Sequence, residues 1–338
     1  MSTDTVLRDG LRRWLASPPP PRSGPLPDEQ ILDDLGLGGL MVGQDVGGDG
    51  GTLADVVAVQ DELGRGHAET SFLASSVMAA TALNCAGTDV AKELAGLIAK
   101  GQVIGALIPP ETWDPEHESV DRVRIHNTVA GPVLARAQQT HKPIWVLSTV
   151  RRDGVLILEG ELAHAGPGNL QEIARGSDAE HAMARSLSAG KVGIAADVNG
   201  SKARALEITV EYGAQRSAFG RKVGSYQAFR HNCAESWMRI QLDRALVRAA
   251  VYAWEAESGN SYPLATAAAV AAVESARAIG ESAILLHGGI GFTWEHEVHW
   301  HVKRAAQAIV HLGGPTRQWD AVYGLMDQRA GASRRTHD

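Results

Sequence analysis

From Ala265 to Leu286 the chain carries almost no internal turn signal. A run of alanine, valine, isoleucine and leucine with no place to fold back favours one continuous helix, because alanine loses no side-chain entropy there. Met238, Leu242, Leu246 and Ala250 recur at four-residue steps and set a second apolar stripe at helical spacing. Alanine, leucine, arginine and glutamate dominate from about residue 178 onward, and the expected product is a bundle of about four or five long helices over 178–332, followed by a polar tail at 333–338.

The preceding segments read differently. Leu7, Leu11, Trp14 and Leu15 fall on one helical face, and Pro18 to Pro21 end that helix by removing amide donors and restricting the preceding residue. Apolar segments at 27–35, 52–66 and 70–101 are punctuated by glycine, most densely at Gly47-Gly48-Asp49-Gly50-Gly51. Residues 1–102 are therefore expected to form a helical N-terminal domain. Val103 to Ile108, Val120 to Val129, Pro143 to Val150 and Gly154 to Leu162 are short and β-branched, bounded by proline, glycine, asparagine or aspartate. They predict a short, reduced β-sheet domain over 103–177. The fold class is mainly α with a small β module.

The 338 residues carry a formal net charge of -7, which gives no general attraction to nucleic acid or to an anionic membrane. No run supplies the roughly 20 apolar residues of a membrane helix. The first residues lack the pattern of a secretory leader, and Cys85 and Cys233 have neither disulfide-framework nor metal-site spacing. These features lead to the expectation of a cytoplasmic protein without metal, membrane or nucleic-acid partners.

Two C-terminal motifs add chemistry. Arg216-Ser217-Ala218-Phe219-Gly220 offers a guanidinium fork beside an aromatic ring, and His287-Gly288-Gly289-Ile290-Gly291-Phe292-Thr293 offers backbone that a ligand can approach closely. The same glycines equally suit a helix end and turn. With Leu35-Gly36-Leu37-Gly38-Gly39-Leu40, Gly47-Gly48, and Glu62-Leu63-Gly64-Arg65, these motifs occur in the order helical cap, short sheet, helical bundle. In that order and combination the chain resembles the acyl-CoA dehydrogenases, most strongly across Tyr212 to Gln227 and Leu286 to Arg304.

The resemblance implies FAD as cofactor and an acyl-CoA thioester as substrate. It implies that Arg216 and Phe219 approach the flavin diphosphate of a neighbouring subunit, with Gln227 at the end of that segment and Gly288 and Gly289 as the close-approach turn. Leu285 stands where the family often has glutamine. Leu107-Ile108-Pro109-Pro110 runs into Glu111-Thr112-Trp113 without the family's glycine-serine continuation, which implies a remodelled flavin-facing wall. Trp145, within a strand-like run, reads as a buried or half-buried strand residue.

The family removes a proton beside the thioester with a carboxylate at one of two positions. Alignment through Phe219 puts Gly190 at the earlier position, and alignment through His287 puts Gly313 at the later one. Loss of such a base costs on the order of a hundred- to ten-thousand-fold in rate, about 3 to 5 kcal/mol. His311, Glu295, Glu297 and His299 are candidates for a displaced base, although the residues after the glycine segment also suit caps or solvated charges. His296, His299 and His301 lack a clear further ligand for a metal.

The leading expectation is a subunit, resembling the short subunit of heteromeric, steroid side-chain type acyl-CoA dehydrogenases, with no catalytic residue of its own. It would complete an FAD site with a second acyl-CoA dehydrogenase-like subunit in an α2β2 assembly, with electron-transfer flavoprotein as acceptor. A self-sufficient homo-oligomer with a displaced base and a non-catalytic structural subunit are the alternatives.

Overall fold

A computed structural model describes residues 3–16, 30–108, 113–114, 119–120, 142–152, 155–162, 170–312 and 323. Helix α1 (Thr3–Ala16) lies across α3 (Leu53–Arg65), and the short α2 (Gln30–Asp34) leads into the glycine loop. Thr52 caps α3 through a capping box: its hydroxyl accepts from Asp55 N, and the Asp55 carboxylate accepts from Thr52 N. Glu62 on α3 is only 1% exposed, and Arg12 binds it through two nitrogens at 2.9 and 2.7 Å, holding α1 in place.

The apolar stretch 70–101 forms three helical pieces where the sequence offers one continuous run. A π-helical segment at Leu73–Ala79 passes directly into α4 (Ala80–Ala86), and α5 (Asp89–Ala99) follows. Gly87, at φ 64, ends α4 in the left-handed region, and Thr88 caps α5 by accepting from Ala91 N. A residue that tolerates positive φ, next to a capping hydroxyl, breaks a pattern whose apolar periodicity alone would continue.

The sheet contains β1 (Ile104–Leu107), β4 (Ile144–Arg152), β5 (Val155–Leu162) and β6 (Gln171–Arg175), in that spatial order. β1 runs parallel to β4, and the remaining pairs are antiparallel. β6 is absent from the sequence expectation because Gln171 and Glu172 interrupt its apolar pattern; only Ile173 and Ala174 are buried. Strands β2 (Trp113–Asp114) and β3 (Ser119–Val120) form a separate pair. Most of the expected 120–129 run lies outside the described residues. Trp145 is half-buried on β4 against the core, as expected.

The bundle is built around α6 (Ser177–Gln215), which contacts α7 (Gln227–Glu255), α8 (Ser261–His287) and α9 (Val298–His311) as well as α3. From Ser188 to Lys202 every α6 residue except Asp197 is buried, so small side chains dominate its middle. A helix enclosed on all sides cannot be amphipathic, and its polar residues must find partners inside. Lys202 is 3% exposed; its ammonium donates to Asp243 Oδ2 at 2.5 Å, Ser275 Oγ at 2.7 Å and the Ala272 carbonyl at 3.1 Å. Burial brings its pKa down to about 8 against the opposing pull of Asp243. This cluster joins α6, α7 and α8 at one point.

Candidate functional site

The turn after α6 is built from the helix end. Arg216 terminates α6 with its N–H still donating to the Tyr212 carbonyl, and the chain then forms a two-residue hairpin, β7 (Ser217–Ala218) with β8 (Arg221–Lys222). Its tip residues, Phe219 at φ 50 and Gly220 at φ 80, are both left-handed, matching the twist of a tight hairpin. Glycine accepts that geometry freely, whereas Phe219 adopts an uncommon conformation.

The base of the hairpin is fastened. Tyr226 Oη donates to the Ala218 carbonyl at 3.1 Å, Lys222 Nζ donates to the Gln215 carbonyl at 2.8 Å, and the Arg221 guanidinium covers the Tyr226 ring. Its tip is not: Phe219 is 97% exposed, a large apolar ring carried into water by the turn. Arg216 is also exposed, and its side chain makes no hydrogen bond or ion pair among the described residues. Gln227 opens α7 at the surface, with Nε2 3.5 Å from His231 Nε2.

The glycine turn follows α8. Gly288 has φ 64, and an added Cβ at Gly288 or Gly289 would meet nothing within 4 Å. Gly291 has a different function, because a Cβ there would lie 2.8 Å from the Ile284 carbonyl. Gly288 and Gly289 thus present open backbone, while Gly291 closes the turn onto its own helix. Leu285 is 74% exposed and presents an apolar side chain at the surface.

Tyr212 and His287 bring the two motifs together, with ring centroids 4.6 Å apart. Tyr212 lies one helical turn before Arg216, and His287 immediately precedes Gly288. His287 is 2% exposed, donates from Nδ1 to the Ala283 carbonyl at 2.7 Å, and packs edge-on against His296 at 4.4 Å. Burial holds its imidazole below the usual range, favouring the neutral ring. The sequence alone assigns no role to Tyr212; its position one turn from Arg216 is the available signal, but its partner lies on another helix.

The candidate bases separate. Gly190 lies within buried α6, and a Cβ there would lie 2.8 Å from Met78 Sδ. Gly313 lies outside the described residues. Glu297 binds Arg204 at 2.9 Å, while His299 Nδ1 donates to the His296 carbonyl at 2.6 Å. Glu295 is exposed, and hydrogen bonds from its own backbone and the Thr293 side chain hold its carboxyl below the usual range. His311 is half-buried, and burial lowers its pKa. His301 faces Ser201 at 2.9 Å while His296 faces His287, so these imidazoles address different partners. No group of three or more metal-ligating side chains occurs among the described residues. Nor is any helix among them long and apolar enough to cross a membrane.

A model of the acyl-CoA dehydrogenase C-terminal domain matches residues 179–317. Acyl-CoA dehydrogenase IpdE2 of Mycobacterium tuberculosis is 30% identical over 288 residues, spanning 84% of this chain and 81% of that relative. Acyl-CoA dehydrogenase FadE34 of the same organism is 31% identical over 322 residues, spanning 90% of this chain but 42% of FadE34. Among solved structures, the Tcur3481-Tcur3483 steroid ACAD G363A variant aligns with a TM-score of 0.79 at 19% identity, covering 97% of this chain and 98% of that one. Fold and sequence together define a member of a flavoprotein family. The chain belongs to the acyl-CoA dehydrogenase family, whose cofactor is FAD.

Proposed function

We propose that this chain is one subunit of a heteromeric acyl-CoA dehydrogenase, completing an FAD site with a second, unlike family member in an α2β2 assembly. The observation that carries this reading is the tight hairpin that leaves Phe219 97% exposed with Arg216, also exposed, beside it. Arg216 would hold the FAD diphosphate by charge-assisted hydrogen bonds, Phe219 would form an apolar wall, and Gly288 and Gly289 would admit the cofactor to bare backbone. Gln227 would add a polar contact. The FAD held by these residues would supply hydride-accepting chemistry for α,β-desaturation of an acyl-CoA thioester. Electron-transfer flavoprotein would take up the resulting electrons.

FadE34 supports the division of labour. Nearly all of this chain matches less than half of FadE34, leaving more than half of that relative for additional structure. The steroid designation of the Tcur3481-Tcur3483 enzyme favours a steroid side-chain or other bulky acyl group. With glycine at both family base positions, the partner would supply the carboxylate. Exposed Trp237, Met238 and Leu242 on α7 provide apolar surface for association.

Co-expression with the partner, followed by Arg216→Ala, tests this reading. Loss of one charge-assisted contact is worth roughly 1.5 to 3 kcal/mol, or about 10- to 100-fold in flavin affinity, with the assembly intact. Unchanged flavin affinity and turnover would reject a flavin-completing role and favour a structural subunit. Full flavin occupancy and ordinary turnover by this chain alone would instead establish a self-sufficient enzyme with a displaced base.

A further inference from the structure

Three helix ends meet at one stack of rings. Tyr212 belongs to the last turn of α6, His287 is the final residue of α8, and His296 lies just before α9. The His287 imidazole lies 4.6 Å from the Tyr212 ring and 4.4 Å from the His296 ring, centroid to centroid. Val298 N donates to His296 Nδ1 at 3.3 Å, so the third ring also satisfies the first amide of α9. The other two rings each adjoin one part of the proposed flavin grip. The Tyr212 carbonyl accepts from Arg216 N at 2.8 Å, and His287 is bonded to Gly288. Gly291 folds the turn back onto the same side chain: a Cβ there would stand 3.1 Å from His287 Cβ.

Hydrogen bonding alone does not account for an imidazole at this joint. Nδ1 donates to the Ala283 carbonyl, and the Ile208 carbonyl of α6 also acts on the ring, yet no hydrogen bond of ordinary geometry reaches the buried Nε2. A buried polar atom left in that state costs stability. What the ring supplies is a flat face that meets two others. The side-chain bonds of the hairpin run to Tyr226 and Gln215, close by in sequence, whereas the Tyr212–His287 contact spans two helices.

We infer that Tyr212 and His287 are positioning residues for FAD: their contact fixes the hairpin carrying Arg216 against the turn of Gly288 and Gly289, so that guanidinium and open backbone meet one diphosphate together. This inference rests on the subunit reading above and deepens it. Neither side chain needs to touch the cofactor. Holding the two motifs in register before FAD arrives removes an ordering cost from binding.

FAD titration of the flavin-depleted, co-purified assembly tests the inference, with the melting temperature taken on the same samples. Tyr212→Phe keeps the ring and should bind FAD within about twofold of wild type, whereas Tyr212→Ala and His287→Ala should each weaken binding about tenfold. Because Tyr212 acts through Arg216, Tyr212→Ala should cost no more than about twofold when added to Arg216→Ala. Unchanged affinity in Tyr212→Ala, a Tyr212→Phe variant as weak as Tyr212→Ala, or the same loss in both backgrounds would overturn the inference. Tyr212 is half-buried, so its series decides the matter if His287→Ala does not fold. Arg216→Ala alone separates the two readings. Unchanged FAD affinity there defeats the flavin-completing subunit and the inference with it, whereas weakened binding in Arg216→Ala beside unaltered binding in Tyr212→Ala defeats only the positioning role.

Discussion

Gly64 on α3 and Gly200 on α6 mark a crossing in which each helix occupies the space of the other's absent side chain. A Cβ on Gly64 would fall 1.9 Å from the Asp197 carbonyl, and one on Gly200 would fall 1.8 Å from the Asp61 carbonyl. The aspartates beside this crossing anchor the surrounding helices. Asp61 receives Arg8 from α1 and Arg244 from α7, while Arg304 from α9 holds Asp197 through two nitrogens at 2.7 and 2.6 Å.

Gly200→Ala should destabilise the protein by about 1 to 3 kcal/mol or more, because backbone rather than a flexible side chain obstructs the new methyl. Denaturant unfolding measures this change. Gly289→Ala, placed in open space, should leave stability within about 0.5 kcal/mol of wild type.

Asp243→Ala should cost roughly 3 to 5 kcal/mol by leaving the Lys202 ammonium buried without its counter-charge. The combined Lys202→Met, Asp243→Leu variant should recover most of that loss, since it removes both desolvated charges. A thermal or denaturant double-mutant comparison provides the readout; a double variant as unstable as Asp243→Ala would assign the effect to shape.

Acidification should destabilise the fold through His301. Burial, reinforced by Arg304, Arg204 and Arg65, lowers its pKa to about 3. Between that value and the unfolded value of 6.5, the unfolded chain binds the extra proton. Stability therefore falls as pH drops below 6.5 and continues to fall toward about 3, at up to about 1.4 kcal/mol per pH unit from this group. His301→Asn should flatten that part of the stability profile.

Gly288→Ala should weaken flavin binding and cost about 1 to 3 kcal/mol in stability, because φ 64 with ψ -144 is backbone that alanine avoids. Flavin absorbance of the purified assembly, compared with that of Gly289→Ala, separates backbone strain at the first glycine from simple obstruction at the second.

The long helices and the Val/Ile runs of β1, β4 and β5 were legible because they depend on local periodicity and composition. Ala265 to Leu286 needed only its own alanines to specify a helix, and Arg216 and Gly288 drew attention through their flanking residues. β6 was not legible, since Gln171 and Glu172 mask its two buried residues. The break at Gly87 was also obscured, because the apolar pattern continues across it.

The sequence by itself determined where the long helices run and which residue types stand at Arg216, Gly288, Gly190 and Gly313; a phosphate grip at the first two and a missing base at the last two are what the family resemblance implies. Only the tertiary structure decided that Tyr212 and His287 join the two motifs, that Phe219 faces solvent, and that the space beside Gly190 is occupied by Met78. Each of these depends on how helices remote in sequence pack, which excludes some positions and leaves others open.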